Sequence, residues 1–180
     1  MRLDFKTKSL VVILLLCLLL GSYNLGYAGG DAAMYSRAIA VAKAGNVGAA
    51  FMYFHSLLTR YPDSQYREEA LFALGEYYFL TSNSSDAVSN FVALVDEFPD
   101  FEGKIFALVY LFKIAERANE KSMAQGLEKD IVTFKRLILL FKDYKEYKYL
   151  SPLHREHKLV YFIDKIEAYV DGELLAQIPY

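Results

Sequence analysis

Apolar residues recur at three- and four-residue spacing through much of the chain, which is the spacing of one face of an α-helix. The strongest pattern occurs in residues 46–63 and again 37 positions later in residues 83–100, with six of the 18 positions identical. In each copy an Ala, a Phe and a Leu stand at positions i, i+4 and i+7, and a Pro-Asp pair closes the segment. Because proline ends a helix and starts a turn, the pattern predicts a repeated helix that ends at this pair.

A second helix is predicted before the repeated one, over residues 68–81. Its apolar and small residues form one stripe: Leu71, Leu74, Gly75 and Tyr78. A glycine inside a helix costs about 1 kcal/mol relative to alanine. We therefore expect Gly75 to lie at a close helix–helix crossing, with Ala87 as the small residue opposite. The repeat unit is predicted to be a helical hairpin of about 37 residues.

A third, degenerate unit begins near residue 104, and its second helix is predicted to run to about residue 142 because no proline closes it. Beyond Ser151 and Pro152, apolar residues at helical spacing predict one last amphipathic helix over residues 155–171: Leu159, Phe162, Ile163, Ile166 and Val170. A terminal helix normally covers the exposed apolar end of a repeat stack. Capping is therefore the first interpretation of this helix, and docking of a partner is the alternative.

These elements predict an all-α protein, a stack of about three helical hairpins with a C-terminal capping helix. The repeat domain would span residues 29–150, and the capping helix and tail residues 151–180. Residues 1–28 have the layout of a secretory signal peptide: basic residues, eleven apolar residues at positions 10–20, and a Gly-Tyr-Ala ending at residue 28. The alternative is an uncleaved anchor in the inner membrane, although a spanning helix needs about 20 apolar residues.

Composition narrows the function. The net charge is −2, whereas a nucleic-acid-binding protein usually has a strong basic excess. Cleavage after residue 28 would remove Cys17, the only cysteine, and with it any disulfide or thiolate chemistry. Residues 29–103 hold 4 basic and 10 acidic side chains, and residues 104–180 hold 13 and 11. This asymmetry indicates either two faces with different partners or ordinary solvated surfaces.

The sequence offers few candidate catalytic, metal-binding or cofactor-binding residues. The three histidines are His55, His154 and His157, and none belongs to a zinc motif. The sequence has no Gly-x-Ser-x-Gly elbow, phosphate-binding loop or dinucleotide fingerprint. Basic and aromatic residues alternate over residues 142–149, which suits either a helix end with solvated lysines or an anionic lipid surface. We expect neither an enzyme nor a metal or cofactor site, and no nucleic-acid partner.

The hairpin residues resemble a known family. The tetratricopeptide pattern is matched by Leu71, Leu74, Gly75, Tyr78, Ala87, Phe91, Leu94 and Pro99. The segment YPDSQYREEA at residues 61–70 resembles the linkers of bacterial envelope repeat proteins, namely the outer-membrane assembly lipoprotein D and the periplasmic coordinator of the Tol–Pal system. The resemblance implies a right-handed stack whose concave surface holds a protein or peptide partner.

On this basis the sequence predicts an exported, periplasmic scaffold or adaptor of the bacterial envelope, with a role in outer-membrane assembly implied by the resemblance alone. A chaperone-like carrier of exported substrates is the alternative, and contact with the membrane is expected only through the signal segment. The repeat register places eight residues on the concave, partner-binding surface: Tyr35, Ile39, Phe72, Glu76, Phe79, Val109, Lys113 and Glu116. Phe72 and Phe79 would either face the groove as anchors or pack against neighbouring repeats.

Overall fold

The computed structural model describes residues 29–141 and 146–180, with side chains in the last helix described up to residue 133. The predicted signal peptide at residues 1–28 lies outside the described residues. Six helices come first: α1 (Gly30–Lys43), α2 (Val47–Arg60), α3 (Arg67–Leu80), α4 (Ser84–Glu97), α5 (Lys104–Arg117) and α6 (Lys121–Phe141). None of these helices combines the length and the apolar character that crossing a membrane requires.

The helices form three hairpins with a constant repeat of 37 residues. The first helix of each hairpin begins at residue 30, 67 or 104, and the second at residue 47, 84 or 121. Each hairpin turn has a residue with positive φ at the same repeat position, namely Gly45, Ser82 and Asn119. The next residue in the first two turns, Asn46 or Asn83, accepts a hydrogen bond from a backbone N–H at the start of the second helix. The three predicted hairpins are therefore present, and the second helix of the third hairpin, α6, is long as predicted.

Gly75 does lie at a close crossing of α3 and α4, where the ring of Phe91 lies against it. A Cβ atom built on Gly75 would lie 2.8 Å from a ring carbon of Phe91 in α4. Ala87, the predicted small residue opposite, is buried one turn before Phe91 in α4. The glycine therefore makes room for the aromatic ring of Phe91.

The C-terminal region is a β-sheet, so the predicted all-α fold class is wrong. The strands are β1 (Glu146–Leu150), β2 (Glu156–Tyr161), β3 (Lys165–Val170) and β4 (Glu173–Pro179). They pair in sequence order as an antiparallel sheet. The segment predicted as a capping helix, residues 155–171, forms β2, β3 and the connection between them.

The physical reason for this error is a second periodicity in the same residues. Residues at alternate positions of three strands are buried: His157 and Leu159 in β2, Ile166, Ala168 and Val170 in β3, and Ala176 and Ile178 in β4. Glu167 in β3 is buried as well. Two residues that the helical pattern counted as apolar face, Phe162 and Ile163, instead form an exposed loop between β2 and β3. A two-residue turn joins β3 to β4, where Asp171 and Gly172 have φ of 52° and 84°. Asp-Gly is a strong sequence signal for such a hairpin.

The buried face of the sheet packs against the helices. Its apolar residues join one core with α3, α4, α5 and α6, in which Phe72, Phe91, Phe106 and Tyr110 are the largest fully buried side chains. The β1–β2 connection adds Leu153 to a second core formed by the first hairpin and α3. The sheet is therefore integrated with all three hairpins.

Candidate functional site

The first helices of the hairpins, α1, α3 and α5, form a common surface that we call the inner face, and the sheet covers much of it. The ring of His157 in β2 lies 5.6 Å from the ring of Phe72 in α3 and 5.1 Å from that of Phe106 in α5. Tyr149 in β1 contacts the same two rings, at 5.2 and 5.9 Å. The chain thus occupies with its own sheet a surface that repeat stacks commonly use for partners.

A cluster of polar residues is buried at this junction. Glu76 of α3 and His157 of β2 are both fully buried, and so is Tyr110 of α5. The Tyr110 hydroxyl donates to Glu76 Oε1 over 3.1 Å and lies 2.9 Å from His157 Nε2, while Nε2 lies 3.2 Å from Glu76 Oε1. We call these three residues the buried polar cluster.

The partners of the cluster define its hydrogen bonding. His157 Nδ1 lies 3.1 Å from the carbonyl oxygen of Arg155, which can only accept, so Nδ1 carries a proton. Burial raises the pKa of Tyr110 well above its ordinary value, and the nearby charge of Glu76 adds to the effect. Tyr110 therefore remains a hydrogen-bond donor throughout the physiological range.

Arg155 connects the cluster to the sheet's hairpin turn. Its guanidinium lies 3.5 Å from Glu76 Oε1 and donates to Asp171 over 2.7 Å. Burial opposes ionisation of Asp171, but the hydrogen bonds from Arg155 and from the Glu156 backbone outweigh it and lower the pKa of Asp171. Since Glu76, Tyr110 and His157 are closed to solvent, the cluster holds the sheet on α3 and α5 and is not open to a ligand.

An open cleft of about 320 Å³ remains beside the covered surface. Its helical side is formed by Tyr35 and Ile39 of α1 and by Glu68 and Glu69 in the first turn of α3. The opposite side combines the loop before α5 with β1 and the β1–β2 connection: Phe101, Glu102, Tyr149, Leu150, Ser151, Pro152 and His154. The cleft thus lies where the first hairpin meets the sheet.

Three aromatic rings line this cleft and are held by their neighbours. Tyr35 stacks on Tyr66 with ring centroids 4.1 Å apart. Phe101 and Tyr149 contact each other edge to face at 5.9 Å. Gly103 permits this arrangement, because a Cβ atom there would lie 2.6 Å from a ring carbon of Phe101 and 2.8 Å from one of Tyr149.

The electrostatic environment of the cleft is acidic. Burial raises the pKa of Tyr149 above its ordinary range, and the charges of Glu76, Glu69 and Glu102 raise it further. Burial also raises the pKa of Glu69, with a contribution from the adjacent Glu68. One carboxylate oxygen of Glu69, Oε2, is buried without a hydrogen-bond partner among the described residues. In those residues we find no group of three or more potential ligands arranged to hold a metal ion.

The structure brings only two of the eight predicted partner-binding residues to the cleft, Tyr35 and Ile39. Phe72, Glu76 and Val109 are each fully buried. Of the two alternatives given for Phe72, the structure shows packing and not exposure in a groove. Its ring lies among five others: Phe91, Phe101, Tyr110, Tyr149 and His157.

The remaining three residues lie on a different part of the surface. The ring of Phe79 contacts Tyr110 at 4.8 Å and carries the guanidinium of Arg117 4.6 Å above it. Lys113 forms an ion pair of 3.1 Å with Glu116, one turn further along α5. These three residues do not line the cleft.

Few of the residues that build the junction and the cleft have a local sequence signal. The alternation of His157 with Leu159 marks His157 as inward-facing in a strand. Tyr149 belongs to the segment of alternating basic and aromatic residues, and Arg155 has no such signal. No local signal distinguishes Glu68 and Glu69 from ordinary helix-end charges, because their role depends on the loop and strand opposite.

Comparison with known families agrees with this architecture. The tetratricopeptide repeat model matches residues 32–64, which cover α1 from its third residue, α2 and the start of the following turn. Residues 32–64 are thus similar to a tetratricopeptide repeat (TPR). The constant repeat length extends the matched hairpin to the two TPR-like hairpins that follow it. No curated protein matches the chain. TPRs suggest a scaffold for protein–protein interaction, and the resemblance to envelope lipoproteins is not established by these comparisons.

Proposed function

We propose that this TPR protein is a non-enzymatic scaffold that binds an extended segment of a partner protein in the cleft between its first hairpin and its sheet. The observation that carries the proposal is the opening itself, about 320 Å³, which keeps Tyr35 and Ile39 of α1 accessible beside the covered inner face. Ligand pockets commonly have volumes of about 300–1,000 Å³. This cleft suits a few side chains of an extended peptide and is too small for a folded domain.

The proposed setting is the bacterial envelope. A signal-like segment at residues 1–28 and the envelope-type linker at residues 61–70 support export to the periplasm and a part in outer-membrane assembly. Intact mass of the protein recovered from a periplasmic fraction tests the location. A chain that begins near residue 29 would agree with export and cleavage, whereas retention of residues 1–28 in a membrane fraction would support the anchored alternative.

Site-specific cross-linking tests the binding surface. A photoreactive amino acid replaces Ile39 in the cleft, and a matched variant carries it at Ser89, an exposed position on α4 away from the cleft. After irradiation of living cells, we expect a discrete adduct from position 39 that is absent from position 89. Competition by excess unlabelled protein should reduce this adduct.

Two outcomes would contradict the proposal. Identical adducts from both positions would mean that contact is not confined to the cleft. A discrete adduct at position 89 alone would place the partner on α4 and not in the cleft. A ladder of many adducts at position 39 would instead favour the carrier function, in which several unfolded clients share the same cleft.

A further inference from the structure

We propose that the cleft selects a basic side chain, Lys or Arg, of the partner segment. This inference rests on the proposed function and specifies the chemistry of the segment that the cleft accepts. It comes from two features of the cleft lining, a set of carboxylates and a set of fixed aromatic rings, each with members on both sides of the cleft.

The carboxylates belong to Glu68, Glu69 and Glu102. Within residues 29–141 and 146–180, no described basic side chain lies within ion-pair distance of any of them. The adjacent Arg67 is directed to Glu97, with two hydrogen bonds of 2.7 and 3.0 Å. The acidic charge of the cleft is therefore left for a ligand to neutralise.

Glu69 is the residue with most to gain from a cation. Its Oε2 is buried without a hydrogen-bond partner in the described part of the chain. A buried carboxylate oxygen without a donor is costly, and charge-assisted donors remove that cost. An ammonium or guanidinium group that reaches the Glu69 carboxylate supplies several such donors.

The aromatic rings favour the same ligand. A cation is attracted to the face of an aromatic ring within about 6 Å of the centroid. Tyr35 and Tyr149 line the cleft, and each stacks on another ring, Tyr66 and Phe106 respectively. Fixed rings lower the entropy cost of binding, since little side-chain motion is lost when the ligand enters.

The cleft should reject an acidic side chain. An acidic side chain would enter beside three carboxylates and would leave Glu69 Oε2 without a donor. A neutral side chain would gain contact with the rings but would not neutralise the carboxylates. The cleft should therefore rank basic segments first, neutral segments second and acidic segments last.

Defined peptide pools test this ranking. The probes are fluorescein-labelled ten-residue peptides with a central Lys, Arg, Ala or Glu and random residues elsewhere, and anisotropy measures their binding to the purified protein. We expect the Lys and Arg pools to bind at least about tenfold more tightly than the Glu pool, because one charge-assisted pair gives a difference of this order.

Charge-neutralising variants assign the preference to the cleft. Glu69→Gln combined with Glu102→Gln keeps side-chain size. It should weaken binding of the Lys and Arg pools about tenfold and leave binding of the Ala pool unchanged. Asp96→Asn is the matched control, since Asp96 is an exposed carboxylate on α4 outside the cleft. Circular dichroism establishes that each variant is folded.

The dependence on pH provides a second measurement. Burial and the neighbouring Glu68 raise the pKa of Glu69, so its carboxyl group gains a proton before an ordinary glutamate as the pH falls. Glu68, Glu102 and His154 line the same cleft. Binding of the Lys and Arg pools should therefore weaken as the pH falls through the pKa of Glu69, and Glu69→Gln should reduce this dependence.

The outcomes separate this inference from the proposed function. Equal binding of all pools, lost on Ile39→Arg, would leave a peptide-binding cleft and overturn the basic preference. Tighter binding of the Glu pool would also overturn it, as would a basic preference that Glu69→Gln with Glu102→Gln leaves intact. If every pool binds the parent protein and the Ile39→Arg variant equally, peptides do not bind in the cleft. The proposed function and this inference then both fail.

Discussion

Gly75 and Gly126 are both glycines in the interior of a helix, but their surroundings are opposite. A Cβ atom on Gly75 would lie 2.8 Å from the ring of Phe91, whereas one on Gly126 would meet nothing within 4 Å. Glycine in a helix costs conformational entropy at both positions. Only at Gly75 does the packing require it.

The two substitutions to alanine should therefore change stability in opposite directions. Gly75→Ala should lower the free energy of unfolding by about 1–3 kcal/mol, since the ring of Phe91 and its neighbours must move. Gly126→Ala should raise it by about 0.5–1 kcal/mol, because alanine restricts the unfolded chain and clashes with nothing. Urea denaturation of both variants measures the difference. Stabilisation by Gly75→Ala would show that the Phe91 ring can move aside at no cost.

Single residues of α3 also explain why the predicted groove was misplaced. All seven residues from Ala70 to Glu76 are buried. A helix with one neighbour buries one stripe, so the residues beside that stripe were expected to face a groove. Because α3 has a helix on one side and the sheet on the other, Phe72 and Glu76 are covered as completely as Leu71 and Leu74.

At the scale of elements, the hairpin turns repeat one backbone conformation with three different residues. Gly45, Ser82 and Asn119 have φ of 81°, 61° and 58° at equivalent positions. For an L-residue this left-handed region costs roughly 1–2 kcal/mol, and asparagine tolerates it better than most. Serine lacks both the freedom of glycine and the preference of asparagine.

Ser82→Gly should therefore stabilise the second hairpin. We expect the free energy of unfolding to rise by about 1 kcal/mol, since the strain at positive φ is relieved and only part of the gain is lost to the greater entropy of the unfolded chain. The reciprocal change, Gly45→Ser in the first hairpin, should lower stability by a similar amount. Thermal or urea unfolding of the two variants tests the pair. Equal signs for the two changes would refute a shared turn conformation.

The spacing of apolar residues did not identify the strands of the sheet. Residues 155–171 contain apolar residues at three- and four-residue intervals and also at two-residue intervals, so both periods fit part of the segment. The Asp171-Gly172 dipeptide favours the strand interpretation. Its positive φ values allow β3 and β4 to pair, and the side chain of Asp171 also accepts hydrogen bonds from Arg155 and from the Glu156 backbone.

At the scale of the whole molecule, one side chain links the sheet to the first hairpin. Leu153, in the β1–β2 connection, is buried in the core formed by residues of α1, α2 and α3. The same connection lines the cleft through Ser151, Pro152 and His154. Leu153 therefore fixes one wall of the cleft as well as the position of the sheet.

Leu153→Ala should lower the free energy of unfolding by about 2–5 kcal/mol, as expected for removal of a buried leucine side chain. Hydrogen exchange should accelerate in α1 and in the β1–β2 connection together, because they lose the same contact. Leu174→Ala in β4 is the matched control: Leu174 is 51% exposed, and its removal should change stability by less than about 0.5 kcal/mol. Faster exchange confined to the sheet would contradict a link between the sheet and the first hairpin.

The sequence by itself determined the features that depend on neighbouring residues: three hairpins that repeat every 37 residues, their turns, and the long second helix of the third hairpin. Helical spacing, turn residues and caps act within one or two turns of chain, so they can be recognised locally. Tertiary structure alone decided where the sheet lies, and with it the burial of Glu76 and the opening beside Tyr35. The Tyr110–His157 contact joins residues 47 positions apart. Which surface is covered and which stays open depends on such distant contacts, and local periodicity does not contain them.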